Sequence, residues 1–128
     1  RVFDLGDSTS KYMFVTLKSA ANGLRFAQTI NGNTVDNEQM IDTGAISTNK
    51  WTHIALTISA DNKKATLYVN GKNVGTTLLT GYPSAYAGTQ NYLGKSQYPD
   101  PYFKGYMDNV YIFNYALSAS EITTYMNK

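Results

Sequence analysis

The chain has 128 residues, which is enough for a single domain. Hydrophobic residues make up 42% and charged residues only 16%, a balance that argues against an intrinsically disordered chain. The net charge of +2 and the scattered basic residues argue against a nucleic-acid-binding surface. No apolar run approaches the roughly 20 residues of a membrane helix. With no cysteine, disulfides, thiolate zinc sites and cysteine nucleophiles are excluded as well.

The first third of the chain alternates in the manner of β-strands. The chain opens within a strand at residues 1–5, so we expect it to be part of a larger protein. Residues 11–17 carry apolar side chains on both faces, which predicts a strand that is buried on both sides. Residues 24–30 and 39–43 are two further predicted strands, and Asn22-Gly23 is a predicted turn.

The clearest hairpin signal lies in the middle of the chain. Residues 51–59 and 64–69 both alternate apolar with polar side chains. Asn70-Gly71 then predicts a type I′ turn, because both central positions of that turn need positive φ. Residues 72–76 are predicted to return as the next strand.

The last third combines loops, strands and a helix. In chain order we predict a long loop, a strand, a proline-rigid loop and a long strand at residues 78–89, 90–95, 97–102 and 103–114. The long strand places Val110 and Ile112 on one face. Ser118 and Glu121 have the spacing of a capping box, so a short helix is predicted to begin at Ser118. Many short strands separated by turns predict an all-β antiparallel sandwich over residues 1–128.

Catalysis by this chain alone is not expected. Glycoside hydrolysis needs two carboxyl groups on either side of the scissile bond. The only glutamates are Glu38, in a predicted turn or strand edge, and Glu121, in the helix cap. The single histidine, His53, cannot form an imidazole zinc cluster, and a satisfied structural role is the better interpretation.

Aromatic and amide side chains in two loops are the candidate ligand-binding residues. Aromatic planes pack on the C–H faces of sugars, while amides and carboxylates bind the hydroxyl groups. The alternative interpretation is that these tyrosines pack the loops against the sandwich. The candidates are Tyr82, Tyr86, Asn91, Lys95, Gln97, Tyr98, Asp100 and Tyr102.

Asp108 is the candidate metal ligand. Calcium takes six to eight oxygen ligands from carboxylates, amides and carbonyls. Asp100 and Asp108 flank a loop that offers many carbonyl groups, so they could supply part of such a site. The alternative is that Asp108 accepts hydrogen bonds from turn backbone, and the spacing leaves both interpretations open.

Four segments carry a family resemblance through their order and spacing. They are WTHIALT, ATLYVNG, NYLGKS and GYMDNVYIFNYALS, at residues 51–57, 65–71, 91–96 and 105–118. Together they resemble the laminin-G-like, concanavalin A-like lectin/glucanase superfamily. The most similar branch consists of domains attached to secreted bacterial glycoside hydrolases, including arabinan- and xylan-active enzymes.

The resemblance implies a jelly-roll sandwich, a structural Ca2+ near Asp108, and a role in binding glycans or bracing a catalytic domain. The sequence departs from the family in two ways. Family members carry further strands, with acidic residues that help to bind calcium, before the position of Arg1. We therefore expect the domain to be incomplete at its N-terminus, with the missing strands supplied by the same polypeptide or a companion chain. Lys95 stands where the family often has arginine, so a bidentate contact is lost there.

Two functional hypotheses follow. The first is a non-catalytic carbohydrate-binding module of a secreted bacterial enzyme that degrades arabinan- or xylan-type glycans. The second is a structural module that packs on a catalytic glycoside hydrolase domain without binding sugar, or a protein-adhesion domain. Both hypotheses place the protein outside the cell.

Overall fold

The structure, a computed structural model, describes residues 1–34 and 36–128 and confirms the predicted β-sandwich. Within those residues the chain forms eight strands, one short 3-10 helix and one α-helix. In chain order the elements are β1 (Phe3–Ser8), β2 (Lys11–Thr16), β3 (Arg25–Thr29), β4 (Gln39–Asp42), β5 (Ile54–Ser59), β6 (Lys64–Val69), β7 (Lys72–Leu78), the 3-10 helix (Pro83–Ala85), β8 (Gln90–Leu93) and α1 (Ala119–Met126).

The strands form two antiparallel sheets. The five-stranded sheet has the order β4-β3-β2-β1-β8, and the three-stranded sheet has the order β5-β6-β7. The turn between β6 and β7 adopts the predicted geometry, with φ of 48° at Asn70 and 76° at Gly71. That confirmed turn fixes the register of the hairpin.

The main core lies between the two sheets. Val15, Phe26 and Ile41 from the five-stranded sheet are buried with Leu67 from the facing sheet. The sheets approach closely at Gly75 on β7, where a Cβ atom would overlap Ile41 Cγ2. Glycine at this position therefore sets the spacing between β4 and β7.

A second apolar cluster covers the outer face of the five-stranded sheet. Tyr12, Phe14 and Ala27 are buried there, with Met40 and Tyr98 packed against them. β2 is therefore buried on both faces, as its sequence predicts. Side chains of alternate residues serve the inner core and this outer face.

The C-terminal helix begins as predicted. The Ser118 side chain accepts from Glu121 N at 3.3 Å, and Glu121 Oε2 accepts from Ser118 N at 2.7 Å, which completes the capping box. Ile122 is fully buried on one side of α1. The described part of the chain contains no helix that is long and apolar enough to span a membrane.

The predicted long strand at residues 103–114 is wrong. Phe103 N donates to Gly94 O at 2.8 Å, but residues 104–117 make no main-chain hydrogen bond to other main-chain groups of the described residues. A strand needs a neighbouring strand for its hydrogen bonds, and no described strand pairs with this segment. Several of its large hydrophobic side chains are exposed to solvent: Tyr106, Val110 and Ile112 are 89%, 53% and 83% exposed.

One face of this unpaired segment is nevertheless packed. The rings of Tyr111 and Phe113 lie 5.3 and 4.8 Å from the ring of Tyr125 on α1. Aromatic contacts at these distances are favourable. The segment is thus held on the helix by its rings, while its backbone groups have no strand partner.

Candidate functional site

An open groove lies over the outer face of the five-stranded sheet. Its volume is about 710 Å³. β2 contributes Tyr12 and Phe14 to its lining, and the loop after β8 contributes Tyr98 and Phe103. The groove therefore joins a rigid sheet face to a loop, an arrangement that often carries binding function.

Aromatic rings form the floor of the groove. The rings of Tyr12 and Phe14 stack with centroids 5.5 Å apart, and Tyr98 meets Tyr12 edge-on at 6.0 Å. The Arg1 guanidinium lies 3.5 Å above the centre of the Phe14 ring. Tyr12 and Phe14 are only 1% and 5% exposed. A ligand would therefore meet the half-buried rings of Tyr98 and Phe103 rather than those of β2.

The loop after β8 is fixed on the sheet by a buried carboxylate. Asp4, on the outer face of β1, is 1% exposed. It accepts from Gln97 Nε2 at 2.7 Å, from Gln97 N at 3.1 Å and from Ser96 Oγ at 3.3 Å. Such charge-assisted bonds hold the loop in place before any ligand arrives.

The Tyr98 hydroxyl is held in the same way. It donates to Thr9 O at 3.1 Å and accepts from Asn33 Nδ2 at 2.9 Å. The Tyr98 ring is therefore oriented by contacts at both ends, one to Tyr12 and one through its hydroxyl group.

The carboxylates around the groove are all engaged by neighbouring groups. Glu38 accepts a hydrogen bond from the Tyr12 hydroxyl. Burial, and then this hydrogen bond, raise the pKa of Tyr12, so the phenol stays protonated. Asp100 pairs with the Arg1 guanidinium at 3.2 Å. Asp42 is bound by Arg25, and the hydrogen bond from Arg25 holds the pKa of Asp42 below its ordinary range.

The structure divides the predicted ligand-binding residues into two groups. Tyr98 and Asp100 line the groove, and Gln97 anchors the loop that carries them. Tyr102 is 73% exposed and does not line the groove, although Pro101 and Phe103 on either side of it do. Three of these four predicted residues are thus brought to the groove.

The other four predicted residues lie elsewhere. Tyr82 packs on the inter-sheet core, and the Tyr86 hydroxyl donates to Tyr12 O at 2.7 Å. Asn91 Nδ2 donates to Gly88 O at 2.6 Å, and Lys95 Nζ lies 4.4 Å from the centre of the Tyr92 ring. Tyr82 and Tyr86 therefore follow the alternative interpretation, in which tyrosines pack loops against the sandwich.

Asp108 lies in the unpaired segment. Its carboxylate accepts from Asn109 N at 2.8 Å. Among the described residues no three His, Cys, Asp or Glu side chains converge on one point. The calcium site near Asp108 therefore stays a prediction.

The main chain of His53 is hydrogen-bonded to Asn70. His53 N donates to Asn70 Oδ1 at 2.9 Å, and Asn70 N donates to His53 O at 2.8 Å. Burial lowers the pKa of the imidazole. Its Nδ1 is buried and has no hydrogen-bond partner among the described residues. The prediction that this histidine side chain has its hydrogen bonds satisfied is therefore wrong.

Several groove residues are absent from the sequence-based site. Tyr12 and Phe14 are read as core because both faces of their strand are apolar. Three charged residues that are far apart in sequence, Lys18, Arg25 and Glu38, lie on or beside β2, β3 and β4 and are brought together by the register of these strands. Phe103 and Lys104 reach the groove from the segment after β8.

The comparisons place this fold in a family. Residues 1–123 match the model of the concanavalin A-like lectin/glucanases superfamily, and the chain belongs to that superfamily. A similar solved structure is the 2.1 Å crystal structure of residues 221–444 of an S-layer domain-containing protein from Clostridium thermocellum. The identity is 35% and the TM-score is 0.56. The match covers 98% of this chain and 61% of that chain, so this chain spans less than two thirds of its length. No match is found among the curated proteins.

Proposed function

We propose that the chain is a non-catalytic carbohydrate-binding module whose site is the groove between β2 and the loop after β8. The groove itself carries this proposal: its volume of about 710 Å³ lies within the range of about 300–1,000 Å³ that is usual for ligand sites. It offers the rings of Tyr98 and Phe103 beside fixed polar groups, the combination that sugars require. A single site of this kind binds with a Kd of about millimolar to micromolar.

We infer that the module belongs to a secreted bacterial enzyme that degrades arabinan- or xylan-type glycans. Membership of a superfamily of lectins and glucanases supports a glycan ligand. The similarity to an S-layer domain-containing protein supports a position at the cell surface or outside the cell.

Binding rather than cleavage is favoured by the state of the groove carboxylates. Glycosidases use two carboxyl groups about 5–9.5 Å apart, one of which must act on the leaving oxygen. Here Glu38 is bound by the Tyr12 hydroxyl and Asp100 by Arg1. Each of these two carboxylates therefore already holds a partner within the protein through one of its oxygens.

Calorimetric titration with arabinan, xylan and galactan oligosaccharides tests the proposal. Phe103→Ala removes a groove ring and should weaken binding about tenfold or more. Tyr106→Ala is the matched control, because Tyr106 is an exposed ring that does not line the groove. Absence of heat with every glycan, or equal loss in both variants, would reject the groove as a sugar site.

A second candidate function is a structural module that packs on a catalytic domain or an adhesion partner. The unpaired segment favours it, because Val110 and Ile112 are exposed on a backbone that lacks strand partners. Exposed apolar edges of this kind pair readily with another strand. The strand could come from the same polypeptide or from a companion chain. Gel filtration of the 128-residue chain tests this: association or instability is expected, and a stable monomer with a sharp unfolding transition counts against it.

A further inference from the structure

The rim of the groove carries two free cations. Lys18 follows β2 and Lys104 follows the loop after β8, and both line the groove. Both side chains are exposed. Within residues 1–34 and 36–128 neither lysine makes an ion pair, and neither ammonium group makes a hydrogen bond.

The other charged side chains of the groove already have partners within the protein. Arg25 is bound through two hydrogen bonds by Asp42, and Arg1 lies between Asp4 and Asp100. Glu38 is engaged by the Tyr12 hydroxyl. An anionic ligand would find two lysine ammonium groups that have no partner among the described residues.

We propose that the groove takes an acidic glycan, with uronic acid carboxylates at Lys18 and Lys104 and sugar rings along Tyr98 and Phe103. This inference rests on the proposed glycan-binding function and names the substrate class of the same site. Exposed lysine–carboxylate pairs are individually weak, so the two contacts together should tighten binding by about threefold to thirtyfold. These two ionic contacts favour acidic over neutral glycans. They add to the ring and hydroxyl contacts that any sugar would make in the groove.

The test compares oligogalacturonate with a neutral galactan oligosaccharide of the same length. Calorimetry on the 128-residue chain should show oligogalacturonate binding at least about threefold more tightly at about 50 mM salt. The preference should shrink at about 500 mM salt, because screening weakens exposed ion pairs.

Matched double variants locate the effect. Lys18→Gln with Lys104→Gln should abolish the preference and leave neutral-glycan binding intact. Lys64→Gln with Lys72→Gln removes the same charge from exposed positions of β6 and β7 and should keep the preference. Loss in both pairs would mean non-specific attraction and would overturn the inference.

The remaining outcomes separate this inference from the proposed function. If neutral and acidic oligosaccharides bind equally, the inference fails and the glycan-binding function stands. If neither binds, the proposed function fails and the inference fails with it. Thermal unfolding of each variant verifies that loss of binding is not loss of fold.

Discussion

Arg25 and Asp42 face each other on neighbouring strands and are joined by two hydrogen bonds of 2.7 Å each, from Nε to Oδ1 and from Nη2 to Oδ2. They are cross-strand partners in the register of β3 and β4. The pair therefore ties the edge strand of the sheet to its neighbour and fixes one end of the groove.

This pair should make stability depend on pH. Its side chains are 21% and 33% exposed, so solvent screening reduces its contribution to about 1 kcal/mol. The pKa of Asp42 is held below its ordinary value of 3.8, so the stabilisation is present above that pH and is lost as the pH falls through the lowered pKa. Urea unfolding should show Asp42→Asn less stable than the parent chain at neutral pH, with the gap closing in acid. A gap that is unchanged in acid would contradict this assignment.

The buried carboxylate of Asp4 should contribute more to the free energy of unfolding than the Arg25–Asp42 pair does. Asp4→Ala removes the acceptor of three hydrogen bonds from Ser96 and Gln97 at a site that is 1% exposed. We expect a loss of about 2–4 kcal/mol in the free energy of unfolding, measured by denaturant titration. Asp108→Ala, at an exposed carboxylate, should change it by less than about 0.5 kcal/mol. Similar effects in the two variants would refute the anchoring role of Asp4.

The spacing of the two sheets depends on Gly75. Gly75→Ala would place Cβ against Ile41 Cγ2, so we expect overpacking to cost about 1–3 kcal/mol in thermal or urea unfolding. Gly44→Ala is the control, because a Cβ at Gly44 meets nothing within 4 Å. If both alanine variants are equally stable, the sheets are not in close contact at β4 and β7.

The unpaired segment should be visible in hydrogen exchange. Amides of residues 106–115 lack main-chain partners in the described structure, so they should exchange near the rate of an unstructured peptide. Amides of β2, which is paired on both sides, should be protected. Slow exchange throughout residues 106–115 of the monomer would contradict the unpaired arrangement.

Local signals allowed most of the fold to be predicted. Asn70-Gly71 specifies its turn through positive φ, and Ser118 with Glu121 specifies the start of α1 through hydrogen bonds over three residues. The residues that decide these elements are neighbours in sequence. The wrongly predicted strand at residues 103–114 shows the limit of such local signals. Alternation of apolar and polar side chains indicates that a segment tends to be extended, but it does not indicate whether a partner strand is present.

The groove was predicted only in part for a related reason. Tyr98 and Asp100 are conspicuous in a proline-rich loop. Glu38 and Arg25, in contrast, become groove residues through cross-strand register and contacts between distant segments. Tyr12 looks like ordinary core in the sequence, since nothing local distinguishes an outer face covered by a loop from an inner one.

The most direct test of the glycan-binding account is a two-dimensional amide NMR titration of the 128-residue chain with an oligosaccharide that it binds. The account predicts saturable shifts concentrated at residues 16–20 and 97–104, on the two sides of the groove, with the sugar recovered uncleaved. Shifts confined to the three-stranded sheet or to residues 106–115, or new reducing ends in the recovered sugar, would contradict it.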